Sequence, residues 1–185
     1  PSSSSNTRVL TLPDIADGTI ITTATSGTIL QVKTVTKTDR FTSEANSPTD
    51  ITGLSLSMAV SNSSNKVLLQ YNVTVGGDWW NTGPAFLTLL DDSTIIGTST
   101  AGSEANHRGS TFSNHYSNSE SNSGYNTSTH SMNFLHTPGN TSSHTYKIQG
   151  HADNTASGQG WSINGVWEST NYGGISTLTV MEVAA

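Results

Sequence analysis

The clearest pattern in the chain is an alternation of apolar and small polar residues in its first half. Apolar side chains occupy every second position from Leu54 to Val60 and again from Val67 to Val75. A period of two places such side chains on one face of a β-strand. The two runs are separated by a short Ser/Asn segment, 61–65. We therefore predict two strands joined by a turn, an antiparallel hairpin whose apolar face packs on a second sheet.

Shorter β-prone runs separated by turn residues predict the other strands. These runs cover 27–41, 85–90, 95–99, 130–136, 144–152, 161–166 and 175–183, with a further short strand within 111–116. No convincing helix occurs. Nine or ten short strands without helices predict an all-β fold, an antiparallel β-sandwich or jelly roll. We divide the chain into a flexible lead and short β neck, 1–26, and a jelly-roll head domain, 27–185.

Composition narrows the class of protein. Charged residues are 11% of the chain, against about 25% in an average soluble domain. The net charge of −6 and the scattered Lys and Arg residues argue against nucleic-acid binding. Cysteine is absent, which excludes disulfides and thiolate chemistry. No apolar run reaches the length of a membrane-spanning helix or a signal-peptide core, so we expect neither a membrane nor a nucleic-acid partner.

Several short motifs resemble one class of viral protein. The segment 11–20, TLPDIADGTI, resembles a segment that recurs in the shafts and necks of phage tail-fibre proteins, ahead of a C-terminal globular domain. The stretches ILQV (29–32), TDITGLS (49–55) and KVLLQYNV (66–73) follow each other as in small jelly-roll domains at the ends of marine phage fibres. A TPG…TYKI hairpin within 137–148 and the closing STLTVMEV, 176–183, are also similar. The resemblance implies a trimeric head like the jelly rolls of tumour necrosis factor.

The last predicted strand carries apolar side chains on both faces. Leu178 and Val180 lie on one face, and Met181 and Val183 on the other. Leu68 and Leu87 likewise place an apolar side chain on the second face of their strands. One face fills a sandwich core, whereas the other would be exposed to solvent in a monomer. Exposed apolar patches mark interfaces. Cover by a loop or by the neck is the alternative.

The resemblance favours an interface between copies of the chain. It implies a homotrimer in which the neck strands and the last strand lie near the three-fold axis. The candidate interface residues are Leu178, Val180, Met181 and Val183.

Six histidines lie between His107 and His151, which raises the question of a metal site. No His-x-His or His-x₃-His pair occurs, and His130 and His136 would lie at opposite ends of one strand. His144 shares its strand face with Tyr146 and not with another histidine. We therefore expect polar surface histidines, no metal and no cofactor. A metal site formed by three copies of one histidine on a trimer axis stays open as an alternative.

Nothing in the acidic or hydroxyl residues predicts an enzyme. Asp91 and Asp92 lie in a predicted turn, where Asp side chains accept hydrogen bonds from the backbone. No pair of acids lies in a recognisable glycosidase motif, and there is no nucleophile elbow or phosphate loop. We expect no catalytic residues.

Adjacent tryptophans in the segment GGDWWNTGP, 76–84, are the best candidates for ligand contact. Indole rings stack on sugar faces, and neighbouring Asp and Asn side chains hydrogen-bond hydroxyl groups. We expect one of the two tryptophans to be buried and the other exposed, and Trp161 and Trp167 to belong to the core or an interface. Tyrosines in Asn/Ser/Gly-rich segments have the composition of adaptable recognition loops. The candidate ligand-binding residues are Asp78, Trp79, Trp80, Asn81, Tyr116, Tyr125 and Tyr172.

These features favour a non-catalytic virion fibre or appendage protein, located on the virion surface. It would attach the particle to a host surface glycan through the tryptophan loop and the segment 100–129, and contact other virion proteins through its neck. One alternative is a capsid decoration or head-fibre protein without a specific ligand. Another is a secreted carbohydrate-binding module.

Overall fold

A computed structural model describes residues 26–77, 85–101, 109–113, 126–152, 160–167 and 169–185. These residues form eleven strands and no helix. The strands are β1 (Ile29–Lys37), β2 (Phe41–Ser43), β3 (Thr49–Ala59), β4 (Lys66–Gly77), β5 (Ala85–Asp91), β6 (Thr94–Ile96), β7 (Thr111–Ser113), β8 (Asn126–His136), β9 (Ser143–Ala152), β10 (Trp161–Ile163) and β11 (Ser176–Val183). No helix in the described part of the chain is long and apolar enough to cross a membrane.

The strands build two antiparallel sheets that pack face to face. In the first sheet β4 is central: β8 pairs along one edge, while β11 and then β10 pair along the other, with β1 and β2 beyond them. The second sheet has the order β3-β9-β5, with β6 and β7 on the outer edge of β5. The predicted all-β antiparallel sandwich is confirmed. The predicted neck lies outside the described residues.

The predicted hairpin of β3 and β4 is wrong, because the two strands belong to different sheets. β3 pairs with β9, and β4 pairs with β8, β10 and β11. The segment 60–65 is therefore an arch that crosses from one sheet to the other. The apolar faces were predicted correctly, and they now meet each other across the core. The predicted hairpin within 137–148 is wrong for the same reason, since β8 and β9 also lie in different sheets.

The core lies between the two sheets and is built from the alternating positions. Leu54 and Met58 of β3 face Leu69 and Val73 of β4, all nearly inaccessible to solvent. Large aromatic and aliphatic side chains complete it, chiefly Tyr146, Ile148, Trp161, Ile163, Leu178 and Val180. Trp161 is thus a core residue, as predicted. Leu87 also belongs to this core, so the prediction that it adds to a second face was wrong.

The two ends of the sandwich differ in what they connect. At one end, here called the terminus end, Gly27 and Ala184 are joined by a backbone hydrogen bond of 2.9 Å, and the arch 60–65 crosses between the sheets. At the other end, the loop end, Gly77 pairs with Asn126 and Trp161, and Ala85 pairs with Ala152. The segments 78–84, 114–125 and 153–159 therefore all start and finish at the loop end, away from the chain termini.

Candidate functional site

The residues predicted to contact a ligand attach to the loop end. Asp78, Trp79, Trp80 and Asn81 lie between Gly77 of β4 and Ala85 of β5, outside the described residues. Tyr116 and Tyr125 also lie outside them, in the connection from β7 to β8. The strand pairing brings the attachment points of both connections together at one end of the sandwich, although they are far apart in the sequence.

Tyr172 is the one predicted contact residue within the described chain. Its side chain is 58% exposed and lines a cavity of about 350 Å³ on the first sheet near the loop end. The cavity is lined by Thr74, Thr127, Gly165, Val166, Tyr172, Gly173 and Gly174. An aromatic ring beside threonine hydroxyls and glycine backbone is suited to an uncharged polar ligand such as a sugar.

Asn164 holds the backbone that shapes this cavity. It has a left-handed φ of 61°, a conformation that Asn tolerates better than most residues. Its side-chain Nδ2 donates to the Lys37 carbonyl at 2.7 Å, and its Oδ1 accepts from the Ser176 hydroxyl. Gly174 N donates to the Asn164 carbonyl at 3.1 Å. Sequence inspection missed Asn164, because an Asn among many in polar segments gives no signal of its buried contacts.

The four predicted interface residues divide between the core and the surface. Leu178 and Val180 are fully buried within one chain, so they fill the sandwich core and have no surface to offer a second copy. Met181 and Val183 point outward and are half-buried. Only the outward pair is therefore available for an interface.

Met181 belongs to an apolar row that crosses four strands on the outer face of the first sheet. The strand register aligns Val32 with Met181, Met181 with Leu68, and Leu68 with Leu135. Val32 is 56% exposed and Leu135 is 49% exposed. The next row along the strands is polar and uncharged: Thr34, Thr179, Gln70 and Asn133. On the other side of the apolar row, the exposed Lys66 pairs with Val183, so this face combines an exposed apolar row with one charged side chain at its edge.

A second cluster of polar side chains lies near the terminus end, around Asp91. Asp91 is buried, and each of its carboxylate oxygens contacts a histidine ring: Oδ2 lies 2.8 Å from His136 Nε2, and Oδ1 lies 2.7 Å from His144 Nδ1. Asp92 Oδ2 is 3.8 Å from the same His144 nitrogen. The potential ligand atoms of Asp91, Asp92 and His144 lie within 4.8 Å of one another. They line an open cavity of about 380 Å³.

Tyr146 lies beneath this cluster and packs on both histidines. Its ring stacks on His144 at 6.3 Å and meets the edge of His136 at 6.2 Å. Burial raises the pKa of the Tyr146 phenol, and the negative charges of Asp91 and Asp92 raise it further. The phenol therefore stays neutral, and the Tyr146 ring forms the uncharged inner side of the polar cluster.

The histidine prediction was wrong for the histidines in the described residues. His130 and His151 are buried, and His136 and His144 are only 18% and 12% exposed at their side chains. Asp91 is not a turn-capping residue either, since its carboxylate binds the two histidine rings. The cluster joins the ends of β5, β8 and the start of β9, which no spacing within a single strand could indicate.

No protein-family model and no curated protein matches the sequence.

Proposed function

We propose that the chain is the head of a virion fibre that attaches the particle to a host surface glycan, without catalysis. The observation that carries the proposal is the segregation of the two ends of the sandwich. The chain enters β1 at the terminus end, whereas the tryptophan connection 78–84 and the tyrosine connection 114–125 attach at the loop end. Such a layout suits a head that is held at one end by a neck and other virion proteins, and makes contact at the other end.

The composition and the Tyr172 cavity support a sugar rather than a charged ligand. Among the described residues, the cavity lining consists of threonine hydroxyls, glycine backbone, Val166 and one phenol, without an acidic or basic side chain. Aromatic rings supply stacking faces for sugar rings, and hydroxyl and amide groups supply directional hydrogen bonds. Trp79 and Trp80 belong to the connection 78–84, whose attachment points Gly77 and Ala85 lie at the same end of the sandwich.

The proposal includes a homotrimer, supported by the apolar row Val32–Met181–Leu68–Leu135. Apolar side chains that stay exposed in a row across a sheet face are typical of interaction surfaces. The register places Val183 and Ile29 directly beside this row. In the trimer the row would lie at the contact between copies, close to the neck. The trimer itself would be located on the surface of the virion. Light scattering at micromolar concentration should give three times the 19.4 kDa of one chain, and a monomer would contradict this part of the proposal.

Glycan binding tests the attachment role. A glycan array probed with the intact chain should show binding that disappears in Trp80→Ala. Trp80→Phe is the matched control, because a phenyl ring keeps a stacking face and should retain part of the binding. Thermal unfolding of each variant checks that the sandwich is intact.

The other outcomes separate the alternatives. An intact trimer that binds no glycan would favour a capsid decoration or head-fibre protein. A monomer that binds glycans would favour a secreted carbohydrate-binding module.

A further inference from the structure

The hydrogen bonds around His144 identify which of its ring nitrogens faces the carboxylates of the Asp91 cluster. His144 Nε2 lies 3.1 Å from Asn140 Oδ1. The same Asn140 oxygen accepts from Ser142 N at 2.8 Å, which fixes it as the amide oxygen and not the amide nitrogen. His144 Nε2 must therefore carry the proton and donate it to Asn140.

The other His144 nitrogen then faces carboxylates with a lone pair. In the neutral ring Nδ1 has no proton, yet it lies 2.7 Å from Asp91 Oδ1 and 3.8 Å from Asp92 Oδ2. The lone pair on Nδ1 and the two carboxylate oxygens lie within 4.8 Å of one another and together form a donor set for a cation. We propose that Asp91, Asp92 and His144 bind a divalent transition-metal ion such as Zn²⁺.

The atoms that would not bind the ion are already occupied, as in built metal sites. Asp91 Oδ2 accepts from His136 Nε2 at 2.8 Å, and Asp92 Oδ1 accepts from Thr145 N at 2.9 Å. His144 Nε2 donates to Asn140. All three side chains are thus oriented by an outer partner, the arrangement that fixes ligand geometry in metal proteins.

The dimensions and chemistry favour a small transition-metal ion. Zn–N and Zn–O bonds of about 2.0–2.2 Å in a tetrahedron place ligand atoms roughly 3.4 Å apart. The separation of 3.8 Å between His144 Nδ1 and Asp92 Oδ2 is close to this value, whereas the 2.7 Å to Asp91 Oδ1 would have to open by about 0.7 Å on binding. One imidazole and two carboxylates leave a position for water from the open cavity. Ca²⁺ and Mg²⁺ prefer oxygen ligands alone, so we expect Zn²⁺ and Co²⁺ to bind much more tightly.

The bound ion would connect three elements at the terminus end. Asp91 is the last residue of β5, Asp92 follows it in the β5–β6 turn, and His144 lies at the start of β9. His136 adds β8 of the opposite sheet through its hydrogen bond to Asp91. The ion would therefore brace the β5–β6 turn against β9 close to the crossing from β8 to β9. This inference does not depend on the proposed attachment role.

Titration of the metal-free chain, without a histidine tag, tests the site. Isothermal calorimetry with Zn²⁺ and with Co²⁺ should give one ion per chain with a Kd in the micromolar range or below. Bound Co²⁺ should show the intense visible absorption of a four-coordinate ion, and the unfolding temperature should rise with Zn²⁺ concentration.

Variants distinguish this site from adventitious binding. His144→Phe keeps the ring stack on Tyr146 but removes the ligand nitrogen. Asp92→Asn keeps an oxygen that accepts from Thr145 N but removes the negative charge. Each of these two variants should abolish the Co²⁺ spectrum. Asn140→Ala should weaken binding by about 10–100-fold. Asp50→Asn is the matched control, because it removes one carboxylate from β3 and should leave binding unchanged.

Two results would overturn the proposal. The first is no binding of Zn²⁺ or Co²⁺ at millimolar concentration. The second is tight binding that persists unchanged in both His144→Phe and Asp92→Asn, which would place the ion elsewhere in the chain.

Discussion

Replacement of Glu182 by Gln should destabilise the sandwich through the arch between β3 and β4. Glu182 of β11 is 1% exposed. Its Oε1 accepts from Ser61 N at 2.6 Å, from Ser61 Oγ at 2.7 Å and from Asn65 Nδ2 at 2.6 Å. Its Oε2 accepts from Gln31 Nε2 at 2.6 Å. One carboxylate thus fastens the arch 60–65 to the first sheet.

The magnitude follows from the loss of charge and of one acceptor. Gln keeps the shape of Glu but offers one oxygen and one NH₂ group, so the NH₂ must face a donor. Hydrogen bonds to a charged group stabilise by about 1.5–3 kcal/mol and neutral ones by about 0.5–1.5 kcal/mol, and a buried donor without a partner costs about 1–3 kcal/mol. Gln31 cannot simply rotate its amide, because Nε2 also donates to the Ala59 carbonyl at 2.7 Å. Since neighbouring contributions do not add fully, we expect a loss of about 3 kcal/mol in the free energy of unfolding.

The effect should depend on pH with a definite sign. Burial alone would raise the pKa of Glu182, but the hydrogen bonds from Ser61, Asn65 and Gln31 outweigh it and hold the pKa below its ordinary value of 4.5. A carboxyl with a lowered pKa in the folded state contributes its stability fully above the unfolded pKa and loses it as the pH falls through the folded pKa. The difference between wild type and Glu182→Gln should therefore shrink below about pH 4.5.

Guanidinium unfolding followed by tryptophan fluorescence measures both quantities at pH 7, 5 and 3.5. One protein concentration is used throughout, because the unfolding of an oligomer depends on concentration. Glu44→Gln is the matched control: it removes the same charge from an exposed position and should change stability by less than about 0.5 kcal/mol. A loss below about 1 kcal/mol at pH 7, or an equal loss at pH 7 and pH 3.5, would refute the reasoning.

Two further predictions address packing and assembly. Gly150→Ala should lower the free energy of unfolding by about 1–3 kcal/mol, because the new Cβ would lie 2.5 Å from Trp161 Cη2. Gly173→Ala is the control, since its Cβ would meet nothing closer than 3.8 Å. Equal losses for the two variants in unfolding experiments would contradict the packing argument. The double variant Leu68→Gln/Leu135→Gln should dissociate the proposed trimer, as measured by light scattering, whereas Thr179→Gln on the next row should not. A double variant that remains trimeric would exclude the apolar row as the contact between copies.

Predictions from the sequence succeeded where structure depends on neighbouring residues. The alternation from Leu54 to Val60 and from Val67 to Val75 correctly predicted two strands and their buried faces. It did not predict their partners, because the same pattern fits a hairpin within one sheet and an arch between two sheets. An apolar face must be covered in either arrangement, and the position of the covering sheet is a property of the whole chain.

The candidate sites show the same division. The tryptophan segment and Tyr172 were proposed as contact residues from residue type alone, and their common attachment near the loop end came from the strand register. The Asp91 cluster was missed because its members are distant in sequence: His136 is 45 positions and His144 is 53 positions from Asp91. Leu178 and Val180 could not be separated from Met181 as core or surface until the sheet was known.

The sequence by itself determined the strands, the faces they bury and the residue types available for contact, because a period of two is a local property of the backbone. The tertiary structure decided which strands pair, which end carries the loops and which polar side chains meet. These depend on contacts between distant residues, whose geometry no local pattern contains. The arch that replaced the predicted hairpin has this origin: the sandwich buries both apolar faces against each other, and the carboxylate of Glu182 holds the crossing in place.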